Sequence, residues 1–208
     1  MIIIEGIIGA GKSTFVIELA KLIDGSLLFL EPVENSENPY LEFFYKDMAR
    51  WGLEMQYYLM AQRFQMHREG IKQEWKNGKI TIYDRSIYGD KAFADILHKD
   101  GFISDLGYNS YLLMRKAMEQ ELLVPQCTIF LKVDIETAIK RIQKRNRPCE
   151  KGIHADYLRK LERAYEPILE ELRAKGSNVQ IVDWNQDGLD FSKIKLPEHC
   201  KFDLKKIK

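Results

Sequence analysis

The residues best suited to do chemistry stand near the start of the chain. Gly6-Ile7-Ile8-Gly9-Ala10-Gly11-Lys12-Ser13 fits Gly-x-x-x-x-Gly-Lys-Ser, the pattern of a loop that wraps a chain of phosphates. Gly6, Gly9 and Gly11 let the backbone curl and turn successive N–H groups inward, with Ala10 and Thr14 completing the stretch. The Lys12 amine is placed to reach β- and γ-phosphates, and the Ser13 hydroxyl to hold Mg²⁺. A glycine-rich turn that binds nothing would need neither the lysine nor the serine.

Two carboxylates and a set of arginines stand at comparable positions further on. Asp84 closes the apolar run Ile80-Thr81-Ile82-Tyr83, as a Walker B aspartate does beside Mg²⁺. Many strands end in Asp, so the P-loop is what lends this one weight. Glu31 also closes an apolar run. Pro32 after it favours extended backbone, which aims the carboxylate off the sheet edge, where it could take a proton from an attacking hydroxyl. The plainer alternative for Glu31 is a surface carboxylate in a loop. Arg141 and Arg145 share one side of a helix, with Arg147 just beyond. Such a run is either a solvated face or the cationic lid that phosphoryl transfer requires, and Pro148 and Gly152 suit a segment that closes over nucleotide.

The elements that must position these groups follow from periodicity. Short apolar runs at 2–4, 26–30, 79–83, 128–133 and 179–182 read as strands. Helical spacing marks 14–24, a segment opened by Pro39, 51–75, 87–99, 106–123, 135–145 and 157–174. In the 51–75 helix Met55, Tyr58, Leu59, Gln62, Met66 and Ile71 fall near one face, and Asn77-Gly78 ends it. Pro167 is expected to interrupt or kink the 157–174 helix. Strands alternating with helices imply an α/β fold, a five-stranded parallel sheet covered on both faces. Ligands of such sheets bind beyond the carboxyl ends of the strands, where the P-loop, Glu31 and Asp84-Arg85 stand.

Composition excludes several classes. With 208 residues, 45% apolar and 30% charged, the chain suits one soluble domain. A formal net charge of +1 gives no reason to expect a nucleic-acid partner, and no apolar run is long enough to cross a membrane. Cys127, Cys149 and Cys200 form no close pair, and no signal or transit peptide fits the start, so a reducing cytoplasmic setting is expected. There is no Asn-Lys-x-Asp motif for guanine and no His-Arg-Asp or Asp-Phe-Gly set, which leaves a small-molecule kinase.

From about Ile2 to Gly188 the chain resembles the deoxynucleoside kinases. The resemblance rests on Glu5-Gly6-x-x-Gly9-x-Gly11-Lys12-Ser13, Glu31-Pro32-Val33, Tyr45-Lys46-Asp47 followed by Trp51 and Gln56, Asp84-Arg85-Ser86, the arginine lid, and Glu150-x-Gly152-Ile153. It implies a P-loop kinase fold with an arginine-rich lid at about 141–153, ATP as donor with Mg²⁺, a deoxynucleoside as acceptor, and a homodimer. It implies that Glu31 is the general base and that Arg85 holds both Glu31 and the transferring phosphate. It implies that Tyr45 and Glu150 bind the sugar 3′-hydroxyl, that Gln56 reads the base edge, and that Arg63 and Asp90 form a polar pair near the base. Phe93 would stack on the base, and the stretch Asp183 to Gly188, with Asp187 and Gly188, would pack on the donor adenine. Asp84 stands where the animal enzymes carry Glu.

The expected activity is therefore ATP-dependent phosphorylation of a deoxynucleoside 5′-hydroxyl, in a domain spanning 1–190 and followed by a solvated basic tail at 191–208. Arg63 with Asp90 favours deoxycytidine or purine deoxynucleosides over thymidine, and of these purines are the expected choice, with deoxycytidine as the alternative. A monophosphate kinase of thymidylate kinase type is the rival, but Leu30-Glu31-Pro32-Val33 lacks the Arg and Gly that bind an acceptor phosphate there. A non-catalytic nucleotide-binding subunit is the other, and the set Lys12, Ser13, Glu31, Asp84, Arg85 argues against it.

Overall fold

Ile2, Ile3 and Ile4 are all buried, so both faces of the strand that carries them are covered, as in a parallel sheet clad by helices. The computed structural model describes residues 1–31, 40–150, 152–185, 191 and 194–196. The strands are β1 (Ile2–Glu5), β2 (Leu27–Phe29), β3 (Thr81–Asp84), β4 (Cys127–Lys132) and β5 (Asn178–Asp183). They form one parallel sheet in the order β2-β3-β1-β4-β5. Central β1 pairs Ile4 with Asp84 of β3, so the P-loop and the Asp84-Arg85 corner leave the same end of neighbouring strands.

The helices are α1 (Lys12–Leu22), α2 (Tyr40–Lys46), α3 (Met48–Asn77), α4 (Ile87–Lys99), α5 (Asp105–Gln120), α6 (Ile135–Arg145) and α7 (Ala155–Ala174), with a 3₁₀ turn at Pro148–Glu150. α1 packs on β1, β2 and β3, while α3 packs on β3 and on α4, and α7 packs on α4 and β5. Asp47 caps α3 by accepting from the Arg50 amide at 3.0 Å, which starts the helix earlier than periodicity indicates. Gly78 ends it in the left-handed region, as expected.

Three expectations are corrected. The buried stripe of α3 runs through Gly52, Gln56, Met60, Arg63, His67 and Gly70 as well as Met55 and Leu59, whereas Tyr58, Gln62, Met66 and Ile71 are only half-buried. Hydrophobic spacing located the wrong centre because three polar residues of this helix, Gln56, Arg63 and His67, face inward. Pro167 does not interrupt α7, which runs as one helix from Ala155 to Ala174 and buries Leu158, Leu161, Tyr165, Ile168, Leu169 and Leu172. The residues expected in a solvated tail do not all stay in water: Phe191 and Ile194 are buried, and Phe191 sits 5.2 Å from the Phe15 ring. The Lys195 amide and carbonyl pair with the Gln180 side chain at 2.8 and 2.6 Å, so the boundary drawn at 190 does not part this segment from the core.

His67 provides a pH test of the packing. It stands on α3 and reaches the carbonyl of Leu123, 3.0 Å from Nε2, and burial lowers its pKa to about 4 from an ordinary 6.5. Between these values the unfolded chain binds the proton and the folded chain does not, so this group's contribution rises with pH and is lost as pH falls from 6.5 towards 4. Urea unfolding of the parent and of His67→Gln at pH 7 and pH 5 should show the parent losing more on acidification, by on the order of 1–2 kcal/mol. Equal losses would show that His67 is not held neutral.

Candidate active site

Gly9 has φ of +80°, and a Cβ there would lie 2.4 Å from the Ala138 carbonyl oxygen, so only glycine lets the P-loop lie this close to α6. The loop feeds directly into α1, whose first-turn amides face a prospective phosphate. Lys12 lies across the loop, donating to the carbonyls of Gly6 at 3.2 Å and Ile7 at 2.9 Å. Burial, then the neighbouring Arg85 charge, lowers its pKa to about 7 against the pull of Asp84, Glu31 and Glu5.

Ser13 Oγ donates to Asp84 Oδ2 at 2.5 Å, and the other Asp84 oxygen is buried without a hydrogen-bond partner. Burial pushes the Asp84 carboxyl up, with Lys12 opposing. A hydroxyl and an aspartate beside a phosphate loop fit Mg²⁺, which takes few protein oxygens and completes its shell with phosphate and water. Among the described residues no three His, Cys, Asp or Glu side chains gather into a cage, so the phosphates would have to supply part of the shell.

Glu31 follows β2 and faces two arginines. Arg85 Nε donates to Oε2 at 2.9 Å, and Arg63 from the middle of α3 contacts Oε1. Burial would raise the Glu31 pKa, but Arg85 first, then Arg63 and Lys12, hold it down at about 2. Arg63 also contacts Asp90 on α4, which is buried behind it. Arg85 itself has φ of +71° and donates through Nη1 to the Gly6 carbonyl at 3.1 Å and to Tyr165 at 2.8 Å. Its guanidinium lies 4.8 Å from the Phe93 ring.

A cavity of about 970 Å³ joins these groups, reaching from Lys12, Ser13 and Asp84 past Glu31 and Arg85 to Gln56, Arg63, Tyr45, Phe93 and Glu150. The volume suits two small-molecule moieties end to end. Gln56 is buried and its Oε1 has no hydrogen-bond partner in the protein. The arginines 141, 145 and 147 border the same space. Arg141 reaches back to the carbonyls of Ala10 at 3.1 Å and Trp184 at 2.9 Å. Arg145 takes Glu150 through two nitrogens at 3.2 and 2.6 Å, and Arg147 approaches the same carboxylate at 3.5 Å.

The expected residues thus converge, with two departures. Asp90 does not border the cavity and meets it only through Arg63. Glu150, assigned to the sugar, is held by two lid arginines, which leaves it acceptor capacity for a hydroxyl because a carboxylate has about four lone-pair sites. Asp187 and Gly188 lie outside the described residues, as do Pro32 and Val33. Sequence reasoning missed Tyr165 and Tyr157, and covered Trp184 only as part of the stretch Asp183 to Gly188. Tyr157 and Trp184 border the cavity, and Trp184 packs edge-on against Phe15 at 4.8 Å. Tyr165 looks like any apolar position of α7, and only the fold brings it to Arg85. Glu5 left one trace, a charge ending an apolar strand.

A parallel sheet in this order, with a phosphate loop after its central strand and an acid held by arginines beside it, defines a P-loop kinase fold. The chain belongs to the deoxynucleoside kinase family, whose defining pattern matches residues 2–198. It is 39% identical over 188 residues to a deoxyguanosine kinase of Dictyostelium discoideum, covering 90% of this chain and 65% of that one. It thus spans slightly less than two thirds of that relative. A deoxyguanosine kinase of Bacillus subtilis (strain 168) is 30% identical over 190 residues, with 91% of this chain and 88% of the relative covered. Among solved structures, deoxyadenosine kinase from M. mycoides with bound dCTP superposes with a TM-score of 0.76 at 31% identity, over 90% of this chain and 92% of the other.

Proposed function

We propose that the chain transfers the γ-phosphoryl group of ATP to the 5′-hydroxyl of a deoxynucleoside, purines preferred. The observation that carries the reading is the seat of Glu31: one carboxylate between Arg85 and Arg63, in a cavity that also contains Lys12. The P-loop amides and Lys12 bind the donor phosphates. Ser13 and Asp84 would hold Mg²⁺, which supplies charge neutralisation on the β- and γ-phosphates. Glu31 accepts the hydrogen bond of the 5′-hydroxyl and then its proton, and Arg85 spans Glu31 and the phosphate in flight. Arg141, Arg145 and Arg147 add positive charge around the donor. Tyr45 and Glu150 take the sugar 3′-hydroxyl, and Phe93 stacks on the base.

Base choice rests on Gln56, Arg63 and Asp90. The unsatisfied Gln56 oxygen calls for a donor such as an exocyclic amine, while its amide nitrogen donates to a ring nitrogen. The two relatives and the solved structure above are all named purine deoxynucleoside kinases, which supports the same choice. Assaying the four deoxynucleosides with ATP and resolving the products chromatographically tests it: deoxyguanosine or deoxyadenosine should lead, and a thymidine preference would overturn it. The same assay with deoxynucleoside monophosphates should give no turnover.

Gln56→Ala should raise nucleoside KM by about 10–100-fold with a smaller change in kcat, since it removes up to two hydrogen bonds to a buried base. Unchanged discrimination among bases would reject the role. A homodimer belongs to the same proposal, supported by the exposed Leu106 and Leu113 of α5 and checked by sedimentation. So does a reducing, cytoplasmic setting, supported by the wide sequence spacing of Cys127, Cys149 and Cys200. Among the described residues no helix is long and apolar enough to cross a membrane.

A further inference from the structure

Glu5 ends β1 with no exposure to solvent and does not border the cavity, yet it lies directly behind the arginine that does. Its Oε1 accepts from Ser86 Oγ at 2.5 Å and its Oε2 from Tyr165 Oη at 3.0 Å. A hydroxyl carries one proton. Tyr165 gives its proton to Glu5 and so can only accept from Arg85, which donates at 2.8 Å. Ser86 caps α4 by accepting from the amides of Tyr88 at 3.2 Å and Gly89 at 3.4 Å, so its proton also goes to Glu5. Both Glu5 oxygens accept, which is the pattern of an ionised carboxylate.

The surroundings are shaped around this carboxylate. A Cβ on Gly89 would sit 2.3 Å from Glu5 Oε2, so the first turn of α4 closes on Glu5 only because residue 89 has no side chain. Arg85 occupies the left-handed region, a conformation that persists in a non-glycine residue when its neighbours over-determine it. Its amide is tied to the Ile4 carbonyl at 3.0 Å, the residue before Glu5, and the next residue, Ser86, is tied to Glu5 itself. The charges and titratable groups facing Glu5 are Arg85, Arg63 and Tyr165, with Lys12 beyond; burial pushes its carboxyl up and the arginines oppose.

We infer that Glu5 is a positioning residue that, through the Tyr165 hydroxyl and the Ser86 cap, fixes the Arg85 guanidinium against the phosphate being transferred. The inference rests on the reading of Arg85 proposed above. Glu5→Gln keeps the shape but replaces one acceptor by a donor. Facing Tyr165, that donor turns the hydroxyl proton towards the Arg85 N–H; facing Ser86, it leaves the serine proton without an acceptor. Tyr165→Phe removes only the hydroxyl and keeps the ring against Phe130, 5.2 Å away.

The test is a double-mutant cycle on kcat with Arg85→Ala. Glu5→Gln and Tyr165→Phe should each lower kcat about 10–100-fold while the KM values for ATP and nucleoside stay within about threefold. Added to Arg85→Ala, neither should lower kcat further, because the part they position is gone. If both variants keep kcat within about twofold of the parent while Arg85→Ala is crippled, Glu5 does not position Arg85. If either costs the same factor with and without Arg85, its effect is general damage to the fold and the inference is likewise overturned. Should Glu5→Gln fail to fold, Tyr165→Phe carries the cycle alone. Full kcat in Arg85→Ala would instead overturn the reading of Arg85 and the inference with it.

Discussion

Replacing Lys12 by Ala should lower kcat/KM by on the order of 10³-fold or more, the scale on which cationic contacts act in phosphoryl transfer. The transition state is loose and spreads charge over the γ-phosphoryl oxygens, so a positioned cation does more than proton removal. Lys12 is positioned before substrate arrives, since the carbonyls of Gly6 and Ile7 orient its amine. Burial and Arg85 bring its pKa to about 7, so at higher pH the free enzyme has largely lost this charge. Bound phosphates favour the protonated form. ATP binding at pH 8 should therefore take up a proton, seen as a dependence of calorimetric heat on buffer ionisation, and affinity should weaken as pH rises above about 7. Lys12→Ala should abolish the uptake. Turnover close to that of the parent would remove Lys12 from the chemistry.

Glu31→Gln should cost roughly 10²–10⁴-fold in kcat, the usual range for a general base. The substitution preserves volume but puts an N–H where Arg85 or Arg63 already donates, so the 5′-hydroxyl loses both an acceptor and its alignment. With its pKa held at about 2, Glu31 is ionised at every pH where the enzyme is assayed, so it should impose no acid limb on kcat above pH 4. So acidic a carboxylate is a weak base in the ground state, which agrees with a reaction in which the proton leaves late. The same depression makes Glu31 a stability term, fully present above its unfolded value of about 4.5 and lost as pH falls towards 2. Stopped assays from pH 4 to 9, with circular dichroism to confirm folding, check both statements. Near-normal turnover by a folded Glu31→Gln variant would make the carboxylate a structural counter-ion of the two arginines.

The groups that act through backbone or along one strand were legible from residue order. The P-loop needs glycines at set intervals and a lysine and serine at its end, because a curled backbone and a helix N-terminus make the site; all of that is local. Asp84 and Glu31 were legible because strands put their carboxyl ends on one side of a parallel sheet. That the whole set belongs to one enzyme family was legible too, from motifs in a fixed order. The buried polar residues of α3 were harder to see: Gln56, Arg63 and His67 interrupt an apolar stripe, and spacing put Tyr58, Gln62, Met66 and Ile71 on the buried face beside Met55 and Leu59.

Other features depend on contacts between residues far apart in the chain. Nothing local to Arg63 says that it meets Glu31, thirty-two positions away, or that Asp90 stands behind it rather than in the cavity. Nothing in the basic stretch after 190 shows that Phe191 packs beside Phe15 and that Ile194 joins the core. The residues alone thus determined the chemistry on offer: a phosphate cradle, an acid and the arginines to hold them. Tertiary structure decided how acidic that acid is, which cations share it and what lies behind Arg85, because burial and charge act across space and depend on packing that residue order does not encode.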